Sequence, residues 1–335
     1  MGKPPRSVVI ESIGHYLPHS VLTNADLVNR VDTSEEWIVT RTGIRERRLA
    51  DASQASSDLA VEAVRSALAK GNVDPSTVDL LIVSTVTPDR IFPSTAAFIQ
   101  AKVGLNQGMA FDLNATCSGF VYALEVGRQM MLTGAYRRAL VVGTDKLSSL
   151  TDWEDRATCI LFGDGAGAAI LVGTDEPNEG LFEAVAGVDG TQWELLFVPA
   201  GGSRHPACLE TLGKREHFIK MNGRELFKLA VRWMEKSISD LMKKHGLEWE
   251  QVDCIVPHQA NVRICEALAD RLRLPMDRFY LNIDRVGNTS SASIPIALSE
   301  ALEEGRILPG HNVILASFGG GLTWAASLIK FPPKK

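Results

Sequence analysis

The sequence predicts an α/β fold built from two similar halves packed as one body. Two observations carry this. Short apolar strand patterns alternate with longer stretches of helical periodicity along the whole chain. Three pieces also recur in the same order: VDLLIV from Val78 is echoed by VDCIV from Val252, FDLN from Phe111 by FYLN from Phe279, and FGDG from Phe162 by FGGG from Phe318. Short matches arise by chance, but a shared order is the mark of internal duplication. The halves divide as 1–175 and 176–335.

In the first half, residues 7–13 read as a strand running into Gly14. Short helices follow at 24–29 and 34–41, the second with Ser34 as its N-cap. Residues 58–70 carry Leu59, Val61, Val64 and Leu68 at helical spacing and stop at Gly71. A buried strand at 78–86 leads to a turn at Thr87, Pro88 and Asp89, then a helix at 94–103. Residues 138–144 form another buried strand, and 165–172 and 181–188 read as neighbouring strands. The second half opens with an irregular Gly- and Pro-rich segment at 191–220. The longest helix, 222–244, follows; a strand at 252–256 ends at Pro257 and His258, and a helix spans 261–271. A strand at 279–282, a turn at Gly287 and Asn288 and a helix at 293–303 come next. Two closing strands, 312–317 and 322–331, flank Gly319, Gly320 and Gly321.

The stretch 111–133 organises the chain. Phe111 and Leu113 alternate as a strand does, the pattern breaks at Asn114, Ala115 and Thr116, and an apolar helix starts near Ser118. Cys117 sits at the junction, where Ser118 and Gly119 permit a tight turn. A helix N-terminus carries partial positive charge, which lowers a thiol's pKa. The helix behind it is apolar almost all round, as a buried central helix is. Most free cysteines are inert core residues, so Cys117 needs partners before it means chemistry.

Hydrophobic residues make up 45% and charged residues 22%, the balance of an ordinary globular protein. No apolar run reaches the ~18 residues of a membrane helix. MGKPPRSVVI has no signal-peptide core, and Arg6 breaks the myristoylation pattern. The five cysteines include no CxxC pair, against both a disulfide framework and a zinc site. A cytoplasmic protein with no metal is expected. A net charge of −5 argues against general nucleic-acid binding. GDGAG precedes a strand and lacks GK[ST], so it is no nucleotide loop.

If the halves are duplicates, the ends of equivalent strands converge, and three such ends carry Cys117, His258 and Asn288. Each is ordinary alone: a loop histidine, a Gly-Asn turn, a core cysteine. All three at corresponding places are not. The motifs ATCSGF, RATCILFGDGAGAA, PHQANVRI, GNTSSASIP and SFGGGLTW, with WIVTRTGI from Trp37, resemble the signatures of the β-ketoacyl-acyl-carrier-protein synthase III family, over residues 8–331. The resemblance implies a thiolase-like fold, a layered αβαβα body. It implies a decarboxylating Claisen condensation that starts fatty-acid synthesis: Cys117 takes an acyl group from acyl-CoA, and malonyl-acyl carrier protein then loses CO2. His258 and Asn288 would donate to the enolate oxygen. The N–H groups of Cys117 and Gly320 would form the oxyanion hole. CoA is a substrate, and no cofactor is implied.

The resemblance also places Trp37, Arg41 and Arg156 on CoA. It places Phe318, Leu322 and Phe92 at the acyl pocket, Phe92 reaching across the two-fold interface of a homodimer. Arg224, Lys228, Arg232 and Lys236 recur every four residues, and Lys228 with Arg263 would receive the acidic carrier protein. Leu322 and Ala325 stand where many members have Phe and Gly, and 191–220 is long; these features bear on acyl preference, not reaction class. Three rivals remain. A papain-like Cys-His-Asn hydrolase lacks its expected CGSCW context. A related synthase of secondary metabolism, making a quinolone or polyketide starter, keeps the same residues. A non-catalytic carrier-protein scaffold would be favoured by a broken triad, and this triad is intact.

Overall fold

The computed structural model describes residues 4–333. The principal strands in chain order are β1 (Ser7–Tyr16), β2 (Leu80–Ser84), β3 (Met109–Leu113), β4 (Arg138–Lys146) and β5 (Asp164–Thr174), then β6 (Gly180–Leu181), β7 (Val185–Val188), β8 (Cys254–Pro257), β9 (Asn312–Gly319) and β10 (Thr323–Lys330). The principal helices are α1 (Glu35–Thr42), α2 (Ser56–Gly71), α3 (Thr95–Val103) and α4 (Gly119–Leu132), followed by α5 (Gly223–His245), α6 (Val262–Leu272) and α7 (Ser293–Glu303). Met1–Lys3, part of the stretch that argues against a signal segment, lie outside the described residues.

Two sheets carry the duplication. The first runs β1-β5-β4-β2-β3, with β2 parallel to β3 and β4, and β5 antiparallel to β4 and β1. The second runs β8-β9-β10-β6, with β8 parallel to β9, and β10 antiparallel to β9 and β6. Phe279 adds a parallel bridge to Ile255 on the outer side of β8. The second sheet therefore repeats the order and sense of the first, and the VDLLIV, FDLN and FGDG echoes fall at matching places in the two sheets.

Two expectations need correction. Residues 279–282 do not form a strand but a single bridge. Residues 181–188 do not neighbour 165–172: β6 and β7 pair with β10 in the other sheet. The reason is that β1 already occupies the free edge of β5, from Ser7 opposite Thr174 to Tyr16 opposite Ala166, so the chain crosses over.

The layers follow from which faces are apolar. Helices α2 and α3 cover the outer face of the first sheet, and α5 and α6 that of the second. Helices α4 and α7 lie between the sheets, apolar on nearly every side. That is the αβαβα sandwich, and the central core draws residues from both halves. Backbone approaches in this middle layer are very close. A Cβ on Gly143 of β4 would stand 2.4 Å from the Ser291 carbonyl oxygen, and one on Gly119 would stand 1.8 Å from Ser84 Oγ.

Gly143→Ala tests this packing. The new methyl meets backbone rather than a flexible side chain, so overpacking should destabilise the fold by about 1–3 kcal/mol. A urea-unfolding midpoint equal to that of the unsubstituted protein would show that the layers give way freely.

Candidate active site

Cys117 lies in a 3-10 turn, Thr116–Ser118, between β3 and α4. Thr116 holds a left-handed φ of 49°, a costly conformation for a threonine. Its hydroxyl donates to the Gly320 carbonyl at 2.7 Å, with the Ala115 carbonyl oxygen 2.8 Å away, tying the turn to the glycine loop after β9. The glycine that this approach most needs is Gly319: a Cβ there would lie 2.8 Å from Cys117 N and 2.4 Å from Thr116 Oγ1. Gly320, the residue assigned to the oxyanion hole, sits beside it with looser neighbours, the nearest being Leu196 O at 3.2 Å.

His258 follows β8 directly, and its backbone N–H donates to Ala316 O at 2.7 Å. The next residue, Gln259, is wholly buried; its Oε1 accepts the N–H groups of Asn282 (2.8 Å) and Ile283 (3.0 Å). The histidine loop is thereby fastened to the segment leading to Asn288. Asn288 N–H donates to Leu161 O at 2.9 Å, and Gly163 N–H to Asn288 O at 3.0 Å. Gly287 has a φ of 69° and packs on Leu161 O and Arg47 Cβ, which only glycine permits. Ser290 N–H donates to Asn288 Oδ1 at 2.9 Å, which fixes the amide and leaves its NH2 to donate elsewhere.

These elements bring Cys117, His258 and Asn288 to the wall of one cavity of about 130 Å³, with Phe318 and Gly319. A second cavity of about 250 Å³ also reaches Cys117; its walls include Leu147, Leu150, Val198 and Ile219, with Asn114 and Ser290 near the sulfur. Sequence reasoning missed it. Its apolar residues come from loops and short bridges with no periodicity, and the one available cue was the GNTSSASIP run beside Asn288.

Burial sets the electrostatics. The Cys117 thiol is pushed up to about 12, by desolvation first, with the Asp145 carboxylate adding to the rise and the Ser290 hydroxyl opposing it. This corrects the expectation of a lowered thiol: the helix N-terminus is present, but desolvation outweighs it. Desolvation lowers His258 to about 4, so its ring is neutral at physiological pH. Among the described residues, its Nδ1 has no hydrogen-bond partner. The remaining cysteines are free as well; Cys159, Cys254 and Cys265 are buried in the core and Cys208 is exposed.

A third cavity, about 570 Å³ and open, is lined by Trp37, Arg41 and Arg263. The Arg41 and Arg156 guanidinium groups lie 5.9 and 4.9 Å from the Trp37 ring centre. Asn261 Nδ2 donates to Arg41 O at 2.9 Å, docking α1 against the start of α6. Arg263 therefore stands with Trp37 and Arg41, and also over the Phe227 ring at 5.8 Å, where Phe227 lines the Cys117 cavity. Lys228 is exposed on α5 but paired with Glu225 at 2.9 Å, and Lys236 pairs with Asp240, so the basic stripe is partly neutralised.

The residues assigned to the acyl pocket separate. Phe318 lines the cavity with His258 and Asn288. Leu322 is fully buried in the outer core of the second sheet and lines neither cavity at Cys117. Phe92 is 83% exposed on its loop.

A cysteine in the turn before a buried helix, sharing a cavity with a neutral histidine and an asparagine from the other half of an αβαβα body, is the arrangement of a thiolase-fold condensing enzyme. Residues 111–190 match the family model for 3-oxoacyl-[acyl-carrier-protein] synthase III, and residues 242–331 match that for its C-terminal part. The β-ketoacyl-[acyl-carrier-protein] synthase III of Caldanaerobacter subterraneus subsp. tengcongensis is 51% identical over 318 residues, 95% of this chain and 96% of the relative. That of Roseiflexus castenholzii is 51% identical with the same coverage. The crystal structure of the Aquifex aeolicus 3-oxoacyl-[acyl-carrier-protein] synthase III superposes with a TM-score of 0.89 at 44% identity, over 97% of this chain and all of that one. The chain belongs to the β-ketoacyl-acyl-carrier-protein synthase III family. The hydrolase and scaffold alternatives fall with that assignment.

The raised thiol has a direct check. Alkylation of Cys117 by iodoacetamide should climb about tenfold per pH unit from 7 to 9.5 without levelling, because only the thiolate reacts. A plateau near pH 7, with the adduct mapped to Cys117, would mean the helix N-terminus wins over burial after all.

Proposed function

We propose that this enzyme joins an acyl-CoA to malonyl-acyl carrier protein with loss of CO2, giving a β-ketoacyl-acyl carrier protein and initiating fatty-acid synthesis. The observation that carries this reading is the single cavity shared by Cys117, His258 and Asn288. The Cys117 sulfur attacks the thioester carbonyl, the carbon–sulfur bond to CoA breaks, and the thiol proton leaves on CoA. Cys117 and Gly320 N–H groups hold the oxyanion; one such donor is worth about 3 kcal/mol in other acyl-transfer enzymes. The malonyl thioester then enters and sheds CO2, its electron pair passing to an enolate. A neutral His258 N–H and the Asn288 NH2 steady the enolate oxygen. The enolate carbon attacks the acyl carbon and the carbon–sulfur bond to Cys117 breaks; the thiolate that leaves takes a proton from water. CoA and the carrier's thioester are substrates, so the reading needs no cofactor.

Trp37, Arg41 and Arg156 suit the nucleotide end of CoA: a half-buried aromatic face flanked by two guanidinium groups fits an adenine and its phosphates. Arg263 bridges that mouth and the Cys117 cavity, and with Lys228 would meet the acidic carrier protein. Among the described residues, no helix is long and apolar enough to cross a membrane, in keeping with a cytoplasmic enzyme. A homodimer is favoured by Ile91 and Phe92, 90% and 83% exposed, and by β3, an edge strand bonded only to β2. Burying one such aromatic is worth about 2 kcal/mol.

The division of labour is separable. Cys117→Ala should abolish acyl transfer yet still decarboxylate malonyl-acyl carrier protein, while His258→Ala or Asn288→Ala should acylate on Cys117 and fail to condense. Because the folded-state pKa of His258 lies near 4, below that of an ordinary histidine, decarboxylation by Cys117→Ala should hold steady from pH 7 to 5.5. It should fall only as pH drops toward 4 and the ring gains its proton. A His258→Ala protein that mass spectrometry finds unacylated would make His258 the base for Cys117 instead.

Sedimentation should give a dimer, and Phe92→Ala should stay dimeric while favouring longer acyl-CoA substrates. A monomeric protein, or an unaltered chain-length profile, refutes the cross-interface role.

A further inference from the structure

Two hydroxyls fasten the Cys117 turn to the glycine loop, and the contact is reciprocal. Thr116, next to the cysteine, donates to Gly320 O at 2.7 Å. Thr323, the first residue of β10, donates back to Ala115 O at 2.9 Å. The two hydroxyl oxygens stand 3.3 Å apart, and Gly320 O lies 3.2 Å from Thr323 Oγ1. Each segment therefore supplies the donor for a carbonyl of the other, and each bond joins the first half of the chain to the second.

Threonine is costly at position 116. Its φ of 49° is left-handed, a conformation that a β-branched side chain rarely adopts. Glycine would meet that φ without a steric penalty. Both branches of the threonine are in use instead. The hydroxyl holds the Gly320 carbonyl, and the methyl lies 3.4 Å from where a Cβ on Gly320 would stand. Strain kept at a reacting centre points to a task there.

The task follows from the neighbours. Cys117 N–H comes directly after Thr116, and Gly320 N–H belongs to the residue whose carbonyl Thr116 holds. An oxyanion hole works when both donors stand about 2.7–3.1 Å from the developing charge, already in place before it forms. Here the two donors ride on separate segments, so the ties between those segments set their spacing.

We propose that Thr116 is a positioning residue for acyl transfer: its hydroxyl sets the spacing of the Cys117 and Gly320 N–H groups, with Thr323 as reciprocal partner. This rests on the acyl-transfer reading above, and the test separates the two. Two reactions of the same sulfur are compared. Acylation by acyl-CoA passes through an oxyanion, whereas alkylation by iodoacetamide displaces iodide directly and does not. Thr116→Val keeps the branching and loses the hydroxyl. It should slow single-turnover acylation roughly ten- to a hundredfold, short of the ~10²–10³ that a whole oxyanion donor is worth. The half-saturating acyl-CoA concentration should stay within about twofold, as for an interaction made in the transition state. The alkylation rate should stay within about twofold as well, since only the thiolate governs it. Thr116→Ala should behave alike, and Thr116→Ser, which keeps a hydroxyl, should recover acylation to within about threefold. Thr323→Val should also slow acylation, and the double variant with Thr116→Val should lose less than the product of the two, because the hydroxyls share one contact. Acylation untouched in Thr116→Val and Thr116→Ala overturns the proposal. So does a loss that Thr116→Ser fails to recover, or one in which alkylation changes in step. Each of these leaves the acyl-transfer reading standing. No Cys117 adduct from the unsubstituted protein with any acyl-CoA overturns both.

Discussion

Two backbone hydrogen bonds hold this site together. Asn288 N–H to Leu161 O and Gly163 N–H to Asn288 O make a one-residue parallel bridge between loops from the two halves. It acts with Ser291, three residues beyond Asn288, whose N–H and hydroxyl reach Asp145 in the Cys117 half. The bridge forms only because residue 287 is glycine at positive φ, against a buried Arg47 that itself donates to the carbonyls of Leu22 and Ile160. Gln259 completes the frame by binding the His258 loop to Asn282 and Ile283. Backbone amides in a dry interior have no water to exchange for, which is why such bonds fix position so firmly.

The same dryness sets the chemistry. Desolvation favours the uncharged form of every group, raising the thiol and lowering the imidazole. A thiol–imidazole ion pair is disfavoured on both sides, in contrast to cysteine hydrolases that keep such a pair. A neutral imidazole suits a hydrogen-bond donor to an enolate better than it suits a base.

Three cavities differ in polarity. The open one offers cations around an indole; the narrow one is walled by Cys117, His258 and Asn288; the third, also reaching Cys117, is walled largely by apolar side chains. Arg263, over Phe227 and beside Trp37, stands where the first meets the second.

By itself the sequence determined the fold class and the family, and it singled out Cys117, His258 and Asn288, which the fold brings to one cavity. Strand and helix periodicities are local, and Cys117, His258 and Asn288 each sit in a short motif at the end of an element, where the local turn pattern is readable. Helix α4 read as buried because it is apolar on nearly all sides. What depends on long-range pairing was not legible. Strand β1, far away in sequence, takes the edge of β5, so β6 and β7 go to the other sheet. Leu322 retreats into the core and Gly319, not Gly320, makes the tightest approach to Cys117. The thiol's pKa went the opposite way from the expectation, because a helix terminus is a local feature whereas desolvation sums over everything that packs around the sulfur. The apolar cavity beside Cys117, too, was decided only in three dimensions: its walls come from segments far apart in sequence, and no periodicity records which of them will face one another.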